Sequence, residues 1–192
     1  CRELAGRQGA WSADAAAVGK RRLKNVLLDW LAGGGAAGMA AVCQRQYRDA
    51  DNMSDRQSAL RLMLHNDLEG ATDSLTDFES RFSQQPLVMD KWFALQATVP
   101  GPATLDRVSA LMDHPAFSLS NPNKARALIG AFAAGNPTAF HAADGSGYRF
   151  VADRILELDR LNPQVAAKLA GVFNRWKRYD EERKSLMHRE LE

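Results

Sequence analysis

The stretch NPNKARALIGAFAAGNPTAFHAADGSGYRF, residues 121–150, decides how this chain is read. Each Asn-Pro step puts a side-chain acceptor just ahead of a proline. At the first helical position proline forfeits no intrahelical hydrogen bond and its φ is already set. Asn121-Pro122 and Asn136-Pro137 therefore predict helix starts, and Asn162-Pro163 repeats the signal downstream. The segment DGSGYRF at 144–150 offers glycines and a hydroxyl ahead of a helix, as an anion-binding loop does. It lacks the full Gly-x-Gly-x-x-Gly spacing and a preceding strand. An Asp-Gly turn, with Ser146 capping the next helix, accounts for the same residues.

Helical spacing continues outward in both directions. Leu23, Val26, Leu27, Trp30 and Leu31 form one apolar stripe, stopped by Gly33 to Gly35. Tyr148, Val151, Ala152 and Ile155 repeat the spacing, as do Val165, Leu169, Val172, Phe173 and Trp176. Ser54 with Gln57 has the form of a capping box. Period-two runs rich in β-branched residues are missing, so strands are not expected. About ten or eleven short helices are predicted, starting near 13, 36, 54, 67, 86, 102, 122, 136, 147, 163 and 180. The fold class is all-α: an irregular superhelical array of stacked helical hairpins without a fixed repeat period. Short connections argue for a single domain over 1–192.

Composition narrows function mainly by exclusion. The 192 residues are 45% hydrophobic and 25% charged, as in an ordinary globular protein. A net charge of +2 supplies no bulk attraction to nucleic acid or anionic lipid. No apolar run approaches the roughly 20 residues that span a bilayer. Cys1 and Cys43 are too few for a disulfide framework and fit a reducing compartment. The opening CRELAGRQGA has neither an initiator methionine nor an apolar signal core, which predicts a piece of a longer polypeptide.

Catalytic motifs are scarce. His65, His114, His141 and His188 never fall into H-E-x-x-H, and there is no C-x-x-C, so no local metal site is expected. His65 and His114 read as helix-end or surface residues and His141 as structural. The basic clusters at 19–25 and 174–184 include Trp176 and Tyr179, a pattern compatible with RNA stacking. Asp180, Glu181 and Glu182 follow at once, which favours a solvated helix face. No nucleophile–base or carboxylate pair can be assigned.

The opening stretch, with LNPQVAAKLAGVFNRWKRYDEERKSLM at 161–187, closely resembles the C-terminal helical domain of the bacterial aminopeptidase N family, the alanyl aminopeptidases among the zinc-dependent gluzincins. GKRRLKNVLLDWLA at 19–32 and DNMSDRQSALRLM at 51–63 extend the resemblance more loosely upstream. It implies a domain curved into a bowl that encloses an active-site cavity and gates peptide entry. The parent's catalytic domain would be its intramolecular partner and peptides its substrates. The zinc cofactor and its H-E-x-x-H motif would lie in that catalytic domain, and this piece would cleave nothing alone.

A cytoplasmic location, with neither nucleic acid nor membrane as partner, also follows. By the resemblance, Arg126 faces the cavity and Gln164 lines the pocket near the zinc. Lys168 stands where relatives often carry arginine, keeping the charge but losing the planar two-point fork. Read without the resemblance, all three are solvated surface groups. A free-standing helical scaffold binding a protein partner is the alternative.

Overall fold

The computed structural model describes residues 11–192, and every regular element among them is helical. The chain divides into two compact units at Ser80/Arg81. Cys1 and the CRELAGRQGA segment lie outside the described residues.

The first unit holds α1 (Ala15–Gly33), α2 (Met39–Asp49), α3 (Met53–His65) and most of α4 (Ala71–Phe82). α1 and α2 both pack on α3. Cys43 and Tyr47 of α2, with Ala59, Leu60, Leu62 and Met63 of α3, are buried. A polar pin ties the three helices together. The buried Asp55 accepts from Lys24 Nζ at 2.6 Å and Asn25 Nδ2 at 2.8 Å, while Gln46 Nε2 donates to its backbone oxygen at 3.1 Å.

Two expectations change here. The cap of α3 is Asn52, whose Oδ1 takes the Asp55 N–H at 2.9 Å, so the Ser54–Gln57 capping box is displaced. α1 does end at Gly33, but it turns Leu28 and Ala32 inward. Its predicted apolar stripe instead faces out, with Trp30 76% and Leu23 53% exposed.

The second unit holds α5 (Pro86–Ala97), α6 (Thr104–Leu111) and a continuous helix over 122–135. That helix comprises α7 (Pro122–Ala125), a π turn (Arg126–Gly130) and α8 (Ala131–Gly135). Then come α9 (Pro137–Phe140), α10 (Ser146–Leu161), α11 (Pro163–Ala170), two 3-10 turns (Gly171–Phe173 and Trp176–Arg178) and α12 (Glu181–Arg189).

All three Asn-Pro steps start helices as the chemistry requires. Asn121, Asn136 and Asn162 accept from the backbone N–H of Asn123, Ala139 and Val165. The third apolar run breaks where α11 ends, and Trp176 sits on a 3-10 turn with its ring 4.8 Å from His188. Tyr179 stacks on His141 at 4.5 Å. Each ring thus makes a tilted contact with a histidine of the second unit.

The 141–148 turn closes the core. Asp144 Oδ1 accepts from the Ser146 N–H and hydroxyl, and Gly145 at φ +71° is the cap position in place of Ser146. Gly147 lets α10 meet α9, since a Cβ there would lie 2.5 Å from the Phe140 oxygen. Phe140, Phe132 and Tyr148 interlock edge-on beneath this contact, with Phe140 ring centroids 6.3 and 5.1 Å from the other two.

His141 Nδ1 and the Tyr148 hydroxyl are 2.7 Å apart, and Arg183 Nε donates to the His141 oxygen at 3.1 Å. Through this bond the His141 backbone oxygen anchors α12. His114 folds the turn after α6, with Nδ1 accepting the Ala116 N–H at 3.0 Å. His65 is the last residue of α3.

Candidate functional site

Arg126, Gln164 and Lys168 come together within the second unit. They border one depression of about 480 Å³ between the 122–135 helix and the α10–α11 hairpin. The hairpin follows from its sequence. Asn162 ends α10 and caps α11, and Pro163 cannot continue the preceding helix, so the chain reverses there. Ala125, Leu158 and Ala166 form a buried apolar cluster on which Val165 and Leu169 pack. Leu158, Val165 and Leu169 line the depression from this cluster.

The three polar side chains are exposed at its edge. Gln164 and Lys168 lie one turn apart on α11, hence on one face. Arg126 is held from behind: its Nε donates to the Pro122 oxygen at 3.1 Å and its Nη2 to Asn123 Oδ1. Nη1 has no partner among the described residues and remains available to a ligand. Two residues earlier, Lys124 points the opposite way. It is buried, donates to the Pro86 oxygen at 3.1 Å, and lies 2.8 Å from Asp90 Oδ1 in a charge contact not aligned as a hydrogen bond. The basic pair of NPNKAR is thereby divided, one clamping α5 and one facing the depression.

The π turn was not legible in the sequence. Here the Ala131 N–H reaches back to the Arg126 oxygen. Such widened turns recur at functional sites, and this one brings both Gly130 and Ala134 to the wall of the depression.

The lining contains two cations, Asn162, Gln164 and an apolar floor, but no carboxylate, imidazole, thiol or hydroxyl. It can hold a polar or anionic group against an apolar one, and it contains no base or nucleophile to transform either. Elsewhere among the described residues no cluster of His, Cys, Asp or Glu could hold a metal. Cys43 is fully buried, and burial pushes its thiol up to about 11. No helix among the described residues is long and apolar enough to cross a membrane.

The fold is an all-helical domain, and its depression is lined by polar and apolar groups without a base or nucleophile. Residues 2–192 match the family described as a domain of unknown function (DUF3458_C) with ARM repeats, and the chain belongs to that family. It is 42% identical to aminopeptidase N of Escherichia coli (strain K12) over 91% of its length, covering 20% of that protein. Against aminopeptidase N of Caulobacter vibrioides (strain ATCC 19089 / CIP 103742 / CB 15), identity is 40% over 96% of this chain and 21% of the relative. The crystal structure of Legionella pneumophila aminopeptidase A in complex with aspartic acid superposes with a TM-score of 0.89 at 34% identity, covering 99% of this chain and 23% of that one. The chain thus spans about a fifth of the length of these relatives.

Proposed function

We propose that this chain is the C-terminal helical domain of a zinc-dependent aminopeptidase that removes N-terminal residues from peptides. The reading rests on one observation: Arg126, Gln164 and Lys168, distant in sequence, border a single depression that has binding groups but no reactive ones. Such a surface suits a wall around a reaction performed elsewhere in the polypeptide. Enclosure limits entry to short peptides and excludes bulk water, which strengthens the polar contacts inside. Arg126 and Lys168 supply positive charge for a carboxylate or carbonyl of the peptide, and Gln164 supplies an amide. Zinc would be held by the catalytic domain, since the described residues offer no ligand cluster. The unpaired, buried Cys43 supports a cytoplasmic location. A free-standing scaffold is not favoured, because the relatives are aminopeptidases about five times as long.

The test uses the full-length enzyme. Arg126→Ala is expected to raise KM for peptides roughly tenfold, the equivalent of one charge-assisted hydrogen bond of about 1.4 kcal/mol. Zinc content, measured by atomic absorption, should be unchanged. Loss of zinc in that variant, or turnover of an alanine arylamide by the 192-residue chain alone at the intact enzyme's rate, would overturn the reading.

A further inference from the structure

Among the described residues no lysine or arginine is buried except Lys124, which is 6% exposed. Its ammonium meets three groups, all on α5. The Pro86 oxygen accepts from it at 3.1 Å, Asp90 Oδ1 lies at 2.8 Å, and the Phe93 ring centroid is 5.3 Å away. A charge is kept in such a place only where it is paired. Because every partner belongs to one neighbouring helix, the contact also fixes how the first turn of the 122–135 helix is rotated against α5.

That rotation needs fixing because of the π turn. The Ala131 N–H bonds to the Arg126 oxygen five residues back, so the turn at 126–130 holds one residue more than an α turn. With ordinary winding there, the residues before the turn would rotate by about 100° relative to those after it. The later side is held by Leu128, Ile129 and Phe132, all fully buried. On the earlier side the buried side chains are Lys124 and Ala125, and a single methyl group resists rotation poorly. Lys124 and Arg126 stand about 200° apart on the helix. A rotation that takes Lys124 off α5 therefore also swings Arg126 away from the depression.

We propose that Lys124 is a positioning residue: by gripping α5 it maintains the π register and so keeps the Arg126 guanidinium at the depression, a role that rests on reading the depression as a peptide-binding surface. Lys124 touches no ligand itself. It acts through Arg126, from the opposite side of the same helix.

The test compares full-length wild-type enzyme with Lys124→Met, Arg126→Ala and the double variant. Lys124→Met keeps the length of the side chain and removes its charge. KM for peptides should rise about tenfold, as in Arg126→Ala, with kcat held within about twofold. The double variant should be no worse than Arg126→Ala alone, since both changes remove one contact. Lys124→Arg, which retains a cation, should stay within about threefold of wild type. If Lys124→Met does not fold, Asp90→Asn removes the charge partner from α5 and enters the same comparison. Failure of both to fold overturns the inference, because the grip is then a requirement of the fold and not of the site.

A crystal structure of the variant supplies a readout independent of catalysis. It should show the Ala131 N–H moved to the Ala127 oxygen and Arg126 displaced from the depression. An unchanged π turn with Arg126 in place overturns the inference, as do KM effects that add in the double variant. A KM raised by Arg126→Ala but not by Lys124→Met sinks the positioning role and spares the proposed function. If neither change alters KM, the peptide-binding reading of the depression fails, and the position of Arg126 in the crystal structure alone decides what Lys124 does.

Discussion

Asn136 shows how much one buried amide contributes. Its side chain is 1% exposed and makes four hydrogen bonds. Oδ1 accepts from the Ala139 N–H at 3.1 Å and the Thr138 hydroxyl at 2.9 Å. Nδ2 donates to the backbone oxygens of Ala97 at 3.0 Å and Val99 at 2.8 Å. The donor at Ala139 fixes which atom is oxygen. The residue thus starts α9 and, with its other end, seals the C-terminus of α5.

Asn136→Ala removes a helix cap, about 1 kcal/mol, and leaves the Ala97 oxygen buried without that donor, about 1–2 kcal/mol. The Val99 oxygen keeps a bond from the Thr104 hydroxyl at 2.6 Å and loses less. The expected sum is about 3 kcal/mol, read as a shift in urea midpoint at constant m-value. Asn121→Ala and Asn162→Ala, which break more exposed caps, should cost about 1 kcal/mol each. The decisive variant is Asn136→Asp. It keeps the capping acceptor and points an anion at two carbonyl oxygens, so its loss should reach about 3 kcal/mol or more. An Asn136→Asp protein within about 0.5 kcal/mol of wild type would show that only the cap matters and would refute the cross-link.

Two pH dependences follow, one from a buried group and one from a half-buried group. Burial pushes the Asp55 carboxyl up, but hydrogen bonds from Lys24, Asn25 and Asn52 and the charge of Lys24 outweigh it, so its pKa lies below the ordinary value. Its contribution is therefore complete above about pH 4 and is lost as pH falls through the native value. Asp55→Asn should cost about 3 kcal/mol at pH 7, because Lys24 loses its counterion, and should flatten the acid limb of the urea-stability curve. Parallel wild-type and variant curves below about pH 4 would contradict this. Burial, and then the Arg183 charge, lower the His141 pKa against the opposing Asp180. The unfolded chain takes up this proton near pH 6.5 and the folded one resists, so stability falls between about pH 6.5 and the native value. His141→Gln should abolish that slope between pH 7 and 5, and a slope unchanged in the variant would place its origin elsewhere.

Helix starts were legible because their chemistry is local: an asparagine, a proline and the orphan N–H groups two or three residues on. The same string nevertheless serves unequal roles. Nothing in Asn-Pro tells that Asn136 is buried and bonded to α5 while Asn121 is exposed. That difference depends on what packs against the turn, which is set by residues about 40 positions away. The capping box at Ser54 failed for a related reason. Two acceptors were candidates for one helix end, and Asn52 holds it reciprocally, its Oδ1 taking the Asp55 N–H and its Nδ2 donating to Asp55 Oδ2 at 3.2 Å.

Faces were read less well than ends. The α1 periodicity marks an apolar stripe, but a stripe does not record which side of the helix packs inward, and here it is Leu28 and Ala32 that are buried. The candidate site shows the same split. Spacing on a helix placed Gln164 and Lys168 together, and a step of two residues separated Lys124 from Arg126. Bringing Arg126 to the same depression required the α10–α11 reversal, and the wall it shares with Gly130 required a π turn that no periodicity announces. What decides the site is thus the one place where the helix departs from the regular spacing by which the rest of the chain was read.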